Sequence, residues 1–335
     1  MNRTPKRSMR SLMMIMLFVA AMVSNLAATA VCQEKSASDE VITINSDLVL
    51  VDAEVIDKKT RRRIGNLKRE DFVLYDDGVK QDITYFSQDK LPLSTVLLLD
   101  LSNSVKPIIE QISNGALDAL QHLKPEDEVA LMAFADKVEL VQDFTRDRQL
   151  MSGKIAGVGK TADVGQGTWL NEAVYKAARQ MPNASNPASR RVIIVVTDNI
   201  AFSPKGEEGK KTFAELFETG SVVAGLIVRG GFGKAFNILS LGQLHGLNPY
   251  AERTGGEIMN ADKKEVETKL AELIDHLRTR YSFGYRPSSA IVPGAFHHLE
   301  VKLLAPTVTA QKDKLKVRVK EGYYAQKRHA EQRGN

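Results

Sequence analysis

Asp100-Leu101-Ser102-Asn103-Ser104 sets one carboxylate and two hydroxyls at alternate positions. Three such oxygens converging on a point would suit a hard divalent cation, Mg²⁺, Mn²⁺ or Ca²⁺, rather than zinc or copper. The same residue types also cap helices well, so the pentapeptide alone leaves metal ligation and capping both open. What precedes it is more informative. Thr95-Val96-Leu97-Leu98-Leu99 is an unbroken apolar run, which reads as a buried strand. The acid and hydroxyls then lie on the loop at that strand's C-terminal end, the edge where open α/β sheets bind ligands.

The surrounding pattern supplies such a sheet. Strands are expected at 94–100, 128–134, 191–197, 221–228 and 256–259. Helices are expected at 108–123, 148–155, 170–180, 213–218, 238–246 and 263–280. This alternation predicts a doubly wound, mostly parallel sheet covered on both faces. Two more oxygen donors fall at its edge. Gly165-Gln166-Gly167-Thr168 precedes a helix, and Val196-Thr197-Asp198 ends the most apolar strand.

On either side the pattern is β. Residues 41–44, 48–55, 72–75 and 83–86 read as strands, with Asp76-Asp77-Gly78 as a hairpin turn joining the last two. Leu299-Val301-Leu303 and Leu315-Val317-Val319 alternate apolar with polar positions. Residues 41–92 are too few to fold comfortably alone. The C-terminal strands, 286–325, are therefore expected to pair with them in one small β-sandwich-like module, into which residues 93–285 are inserted. Residues 31–40 read as a linker and 326–335 as a polar tail.

The order Asp-x-Ser-x-Ser, then Thr, then Asp resembles the von Willebrand factor A domain with its metal-ion-dependent adhesion site. Asp71 to Gly78 with Phe86-Ser87, Thr254-Gly255-Gly256, Tyr281 to Tyr285 and Val317 to Tyr323 resemble markers of the exported bacterial VWFA-related family. The resemblance spans roughly residues 41–325 and implies a metal site of Asp100, Ser102, Ser104, Thr168 and Asp198. It implies direct ligation by Ser102 and Ser104, by Thr168 when a ligand is bound, and water-mediated roles for the two acids. Asn199 stands where many members have Gly. Two carboxylates balance a divalent charge while three neutral hydroxyls leave the ion electrophilic. An open position can then accept Asp or Glu from a protein partner.

The formal charge of +5 owes most to the first thirty residues, which hold Arg3, Lys6, Arg7 and Arg10 and no acid. The remainder carries 42 basic and 41 acidic residues, so the charge gives no argument for nucleic acid. Leu12 to Val23 is a twelve-residue apolar core, followed by Ala28-Thr29-Ala30. This layout predicts a signal peptide at 1–30 and an exported protein, periplasmic or secreted. Membrane attachment would require an uncleaved leader or a lipidated Cys32, the sole cysteine, before which Val31 fits a lipobox poorly.

Other signals are weaker. The six histidines, His297 and His298 among them, read as solvated or packing residues, since adjacent strand positions face opposite ways. Arg229 to Lys234 is Gly-rich but lacks phosphate-loop spacing. Glu126, Asp127 and Glu128 read as a solvated turn. Trp169, the only tryptophan, reads as core in preference to a rim aromatic beside Thr168. No general base accompanies the acidic motif, so the expected function is protein binding, without catalysis and without a small-molecule substrate. The alternatives are a structural envelope protein with a vestigial metal site and a metal-assisted hydrolase.

Overall fold

The structure, a computed structural model, describes residues 48–88, 91–201, 206–229, 246–288, 292–304 and 314–325. The described residues open with β1 (Val49–Asp57), β2 (Phe72–Asp76), β3 (Val79–Gln81) and β4 (Ile83–Gln88). Then come β5 (Leu93–Asp100), α1 (Ile109–Gln121), β6 (Glu128–Phe134), β7 (Val138–Thr145), α2 (Arg148–Thr161) and α3 (Leu170–Gln180). Next are β8 (Arg190–Thr197), α4 (Gly206–Thr219), β9 (Val222–Arg229), α5 (Asn248–Thr254), β10 (Ile258–Asp262) and α6 (Val266–Arg278). The described residues close with the strands β11 (Tyr281–Tyr285), β12 (Phe296–Leu303), β13 (Leu315–Val319) and β14 (Gly322–Tyr324).

All eight residues of β5 are buried, as its unbroken apolar run requires of a strand covered on both faces. It lies at the centre of a six-stranded sheet ordered β10-β9-β8-β5-β6-β7, parallel except for β7. Leu97 and Leu99 pack with α1, α2 and α6 on one face, and Val96 and Leu98 with α3, α4 and α5 on the other. The helices bury regular apolar stripes, for example Leu170, Ala173, Val174, Ala177 and Ala178 of α3. Each fully buried leucine here contributes roughly 2 kcal/mol. After β5 the chain runs outward through β6 and β7, then returns to β8 on the other side. The reversal leaves a crevice between the C-terminal ends of β5 and β8, where ligands bind in doubly wound sheets.

Among the described residues there are two further sheets, both antiparallel, β13-β1-β11-β4 and β14-β12-β2-β3. Their shared core includes Val51, Phe72, Leu74, Phe283, Tyr285, Val301 and Leu315. Residues from before and after the α/β segment thus pair directly, β1 with β13 and β2 with β12. Tyr281–Tyr285, which the sequence reading places at the end of the α/β segment, is the strand between β1 and β4. Arg190, at the start of β8, is buried and donates to the carbonyls of Leu277, Arg278 and Arg280 and to Ser282 Oγ. Its Nε also lies 3.2 Å from Asp52 Oδ2 on β1.

Several sequence expectations are corrected. The turn Asp77-Gly78 joins β2 to β3, and residues 83–88 cross to the other sheet to pair with β11. Val79-Lys80-Gln81 buries only Gln81, so no apolar signal marks that strand. β7 is an unpredicted edge strand, and α2 and α4 run past their predicted limits. Asp127 and Glu128 are buried, not solvated. Asp127 accepts the backbone N–H groups of Leu93 and Lys124 and pairs with Arg278. The leader, Cys32, the predicted strand at 41–44, most of the predicted helix at 238–246 and all but Arg229 of the Gly-rich segment lie outside the described residues.

Candidate metal site

Asp100 ends β5 and is fully buried. One carboxylate oxygen, Oδ1, accepts the N–H of Ser102 at 2.9 Å, and Oδ2 accepts the Thr197 hydroxyl at 2.6 Å. Thr197 is the last residue of β8, so this bond ties the two strands together at the crevice. Its Oγ1 also accepts the N–H of Asn199 at 3.0 Å. Ser102 is buried and its Oγ lies 3.1 Å from that of half-buried Ser104. Three of the five expected oxygen donors therefore stand on one turn.

Asp198 follows Thr197 directly. Its Oδ1 accepts the N–H of Ile200 at 3.2 Å, while Oδ2 is buried and has no hydrogen-bond partner among the described residues. Asn199 adopts φ 60°, a left-handed conformation that suits Gly or Asn, which accounts for Asn at a position where glycine serves equally.

Thr168 is half-buried on the loop ahead of α3. That loop is latched to the serine turn: Asn103 N–H donates to Gln166 O at 3.0 Å and Asn103 Nδ2 to Gln166 Oε1 at 2.7 Å. From below, Asp136 accepts the N–H groups of Gln166 and Gly167 at 2.8 and 2.9 Å. These bonds hold its carboxyl below the usual range. A Cβ at Gly167 would fall 2.1 Å from Asp136 Oδ1, so this carboxylate cradle demands glycine there. Trp169 is 61 % exposed, which corrects the core assignment and leaves an aromatic side chain open to solvent beside Thr168.

The electrostatics test whether a cation fits. Burial pushes Asp100 up to about 6 despite bonds from Ser102 and Thr197, and the charge of Asp198 adds to the rise. A buried carboxylate oxygen without a partner is likewise costly. A divalent ion here would reverse both penalties, and the available donors are all oxygens. The group therefore fits a hard cation. Thr197, Asp136, Asn103 and Gln166 escaped the sequence reading. Thr197 was accessible in principle, because parallel pairing of Leu99 with Val196 puts it next to Asp100. Asp136 left no such trace, since its partners lie thirty residues on.

Residues 95–201 match the model of the von Willebrand factor type A domain, and this segment contains all five oxygen-donor residues. Solved structures with similar folds include the conserved hypothetical protein BatB from Bacteroides thetaiotaomicron. It is 18 % identical, with 55 % of this chain and 98 % of that one covered and a TM-score of 0.44. A von Willebrand factor type A protein from Catenulispora acidiphila is 11 % identical over 79 % of this chain and 76 % of that one, at 0.46. Manganese-loaded TRAP protein from Plasmodium vivax is 15 % identical over 76 % and 99 %, at 0.41. No curated protein matches the chain. By its matched segment, and by the parallel sheet which that segment helps to build, the chain carries a von Willebrand factor type A domain.

Proposed function

We propose that this is an exported binding protein in which Asp100, Ser102, Ser104, Thr168 and Asp198 hold a divalent cation, Mg²⁺ or Mn²⁺ foremost, with Ca²⁺ as the other hard candidate. The observation that carries the reading is the buried Oδ2 of Asp198, without a partner among the described residues, close to buried Asp100 at the β5–β8 crevice. Bound there, the ion would supply positive charge and an open coordination position for a carboxylate from a protein partner. The chain's own groups do the rest. Thr197 and the Ser102 N–H orient Asp100. Asp136 and Asn103 hold the Thr168 loop against the serine turn. Trp169 offers a rigid apolar contact at the rim, of the kind enriched in interface anchors. The sequence division carries over into this proposal: a leader at 1–30 directs export, residues 93–285 present the site, and the flanking strands form its base.

The test is binding to immobilised peptides bearing one Asp or Glu, against matched peptides with Asn or Gln, in Mn²⁺ and in EDTA. Capture should be confined to acidic peptides, require Mn²⁺, and fail in Asp100→Ala and Asp198→Ala proteins whose circular dichroism is native. Capture that persists in EDTA would contradict the proposal and favour a metal-free structural role.

A further inference from the structure

A second cluster of ligand types lies in the β-sandwich, where the end of β2 and the turn after it meet β12. Asp76 is 4 % exposed, and its Oδ2 accepts the hydroxyls of Tyr285 at 2.7 Å and Tyr323 at 3.0 Å. Its Oδ1 lies 3.0 Å from His297 Nδ1. Asp77 uses Oδ1 to accept the N–H of His298 at 2.9 Å, while its Oδ2 lies 3.1 Å from the same Nδ1. The His297 ring stacks on Tyr323, with centroids 5.2 Å apart and planes 21° from parallel. One atom from each of the three residues, Asp76, Asp77 and His297, meets within 4.8 Å of the others.

Each carboxylate thus has its outer oxygen fixed by groups outside the trio, which leaves its inner oxygen to converge on the imidazole nitrogen. Such outer hydrogen bonds are what orient metal ligands. Charge points the same way. Among the described residues neither Asp76 nor Asp77 pairs with lysine or arginine, so a single imidazole faces two carboxylates, one of them buried. A lone N–H must be shared between two acceptors, whereas a divalent cation would bond to all three atoms.

We infer that Asp76, Asp77 and His297 form a second cation site, of the nitrogen-and-oxygen class that suits zinc, separate from the oxygen-only site between β5 and β8. Tetrahedral zinc with bonds of about 2.0–2.2 Å needs ligand atoms about 3.3–3.5 Å apart. The two spacings to His297 Nδ1, 3.0 and 3.1 Å, must therefore open by a few tenths of an ångström, and the two carboxylate oxygens, within 4.8 Å of each other, must settle to the same separation. Three protein ligands leave the fourth position open, beside the half-exposed Asp77. The ion would join β2, from before the α/β segment, to β12, from after it, and so clip the module shut around its insertion.

The experiment is calorimetric titration of Zn²⁺ into the purified full chain as wild type, Asp198→Ala, His297→Gln and Asp77→Asn, with circular dichroism to verify folding. Melting with and without Zn²⁺, and the visible spectrum with Co²⁺, accompany each titration. Wild type and Asp198→Ala should bind one Zn²⁺ with similar affinity, gain melting temperature from it, and give the absorption of tetrahedral Co²⁺. His297→Gln and Asp77→Asn should lose at least about tenfold in affinity, and His297→Gln should lose the Co²⁺ absorption. Zinc binding unchanged in both variants, or no zinc bound by Asp198→Ala, would overturn the inference. Because Asp198→Ala removes the oxygen-only site, failure of one site is distinguishable from failure of the other.

Discussion

Asp100 concentrates the chemistry of the α/β site at a single side chain. Burial, with the charge of Asp198 added, raises its pKa from the ordinary 3.8 to about 6. In the metal-free protein this favours the neutral acid. Its contribution to stability is therefore full below about pH 4 and is lost as pH rises through about 6, by roughly 3 kcal/mol in all. Metal binding must slope the other way, because a cation selects the ionised acid. Mn²⁺ affinity should be level above about pH 6 and fall by up to tenfold per unit below it. Titrations across that range check this, and a flat profile would contradict it. Thr197→Val removes the 2.6 Å bond to Asp100 and should cost about 1–3 kcal/mol while moving the affinity profile to higher pH. The oxygen-donor types were legible in the sequence because their chemistry is local. The partners that orient them were not, since Asp136 and Thr197 act through contacts across loops and strands. Trp169 misled for a related reason: an aromatic residue at a helix start usually packs inward, but this one sits on the loop that carries Thr168.

At the scale of elements, β5 and β8 could be read directly, because short unbroken runs rich in β-branched residues and leucine suit strands buried on both faces. The edges were less legible. β7 alternates weakly and pairs antiparallel, and β3 is three residues long with one buried side chain. The N-terminal half of α4, Gly-Glu-Glu-Gly-Lys-Lys, carries no apolar stripe of its own. The join between α6 and the sandwich was also hidden, because it depends on one buried cation. Arg190 serves three carbonyls at the end of α6, and its Nε faces Asp52. Arg190→Met should lower unfolding free energy by about 3–5 kcal/mol in urea, since it leaves those carbonyls and Asp52 without their donor. A loss below about 1 kcal/mol would show that this join is not what holds α6 to the sandwich.

For the whole molecule, the mostly parallel sheet with flanking antiparallel strands follows the expected fold class. Its rationale was a size argument: the first β segment is too small to fold comfortably alone, and the late strands alternate as a sandwich requires. β1 pairs on one side with β13, as in Asp57↔Leu315, and on the other with β11, as in Val49↔Tyr285, a strand that the sequence reading places in the α/β segment. The sandwich joins the two chain segments that flank the α/β domain, and the crevice lies at the ends of β5 and β8. On the proposed function, this crevice binds a divalent ion. That binding is tested most directly by calorimetric titration of Mn²⁺ into wild type and Asp198→Ala at neutral pH. The wild type should bind about one ion saturably, and a natively folded Asp198→Ala should bind it at least about tenfold more weakly. Equal binding by the two proteins, or none by the wild type, would contradict the proposed function.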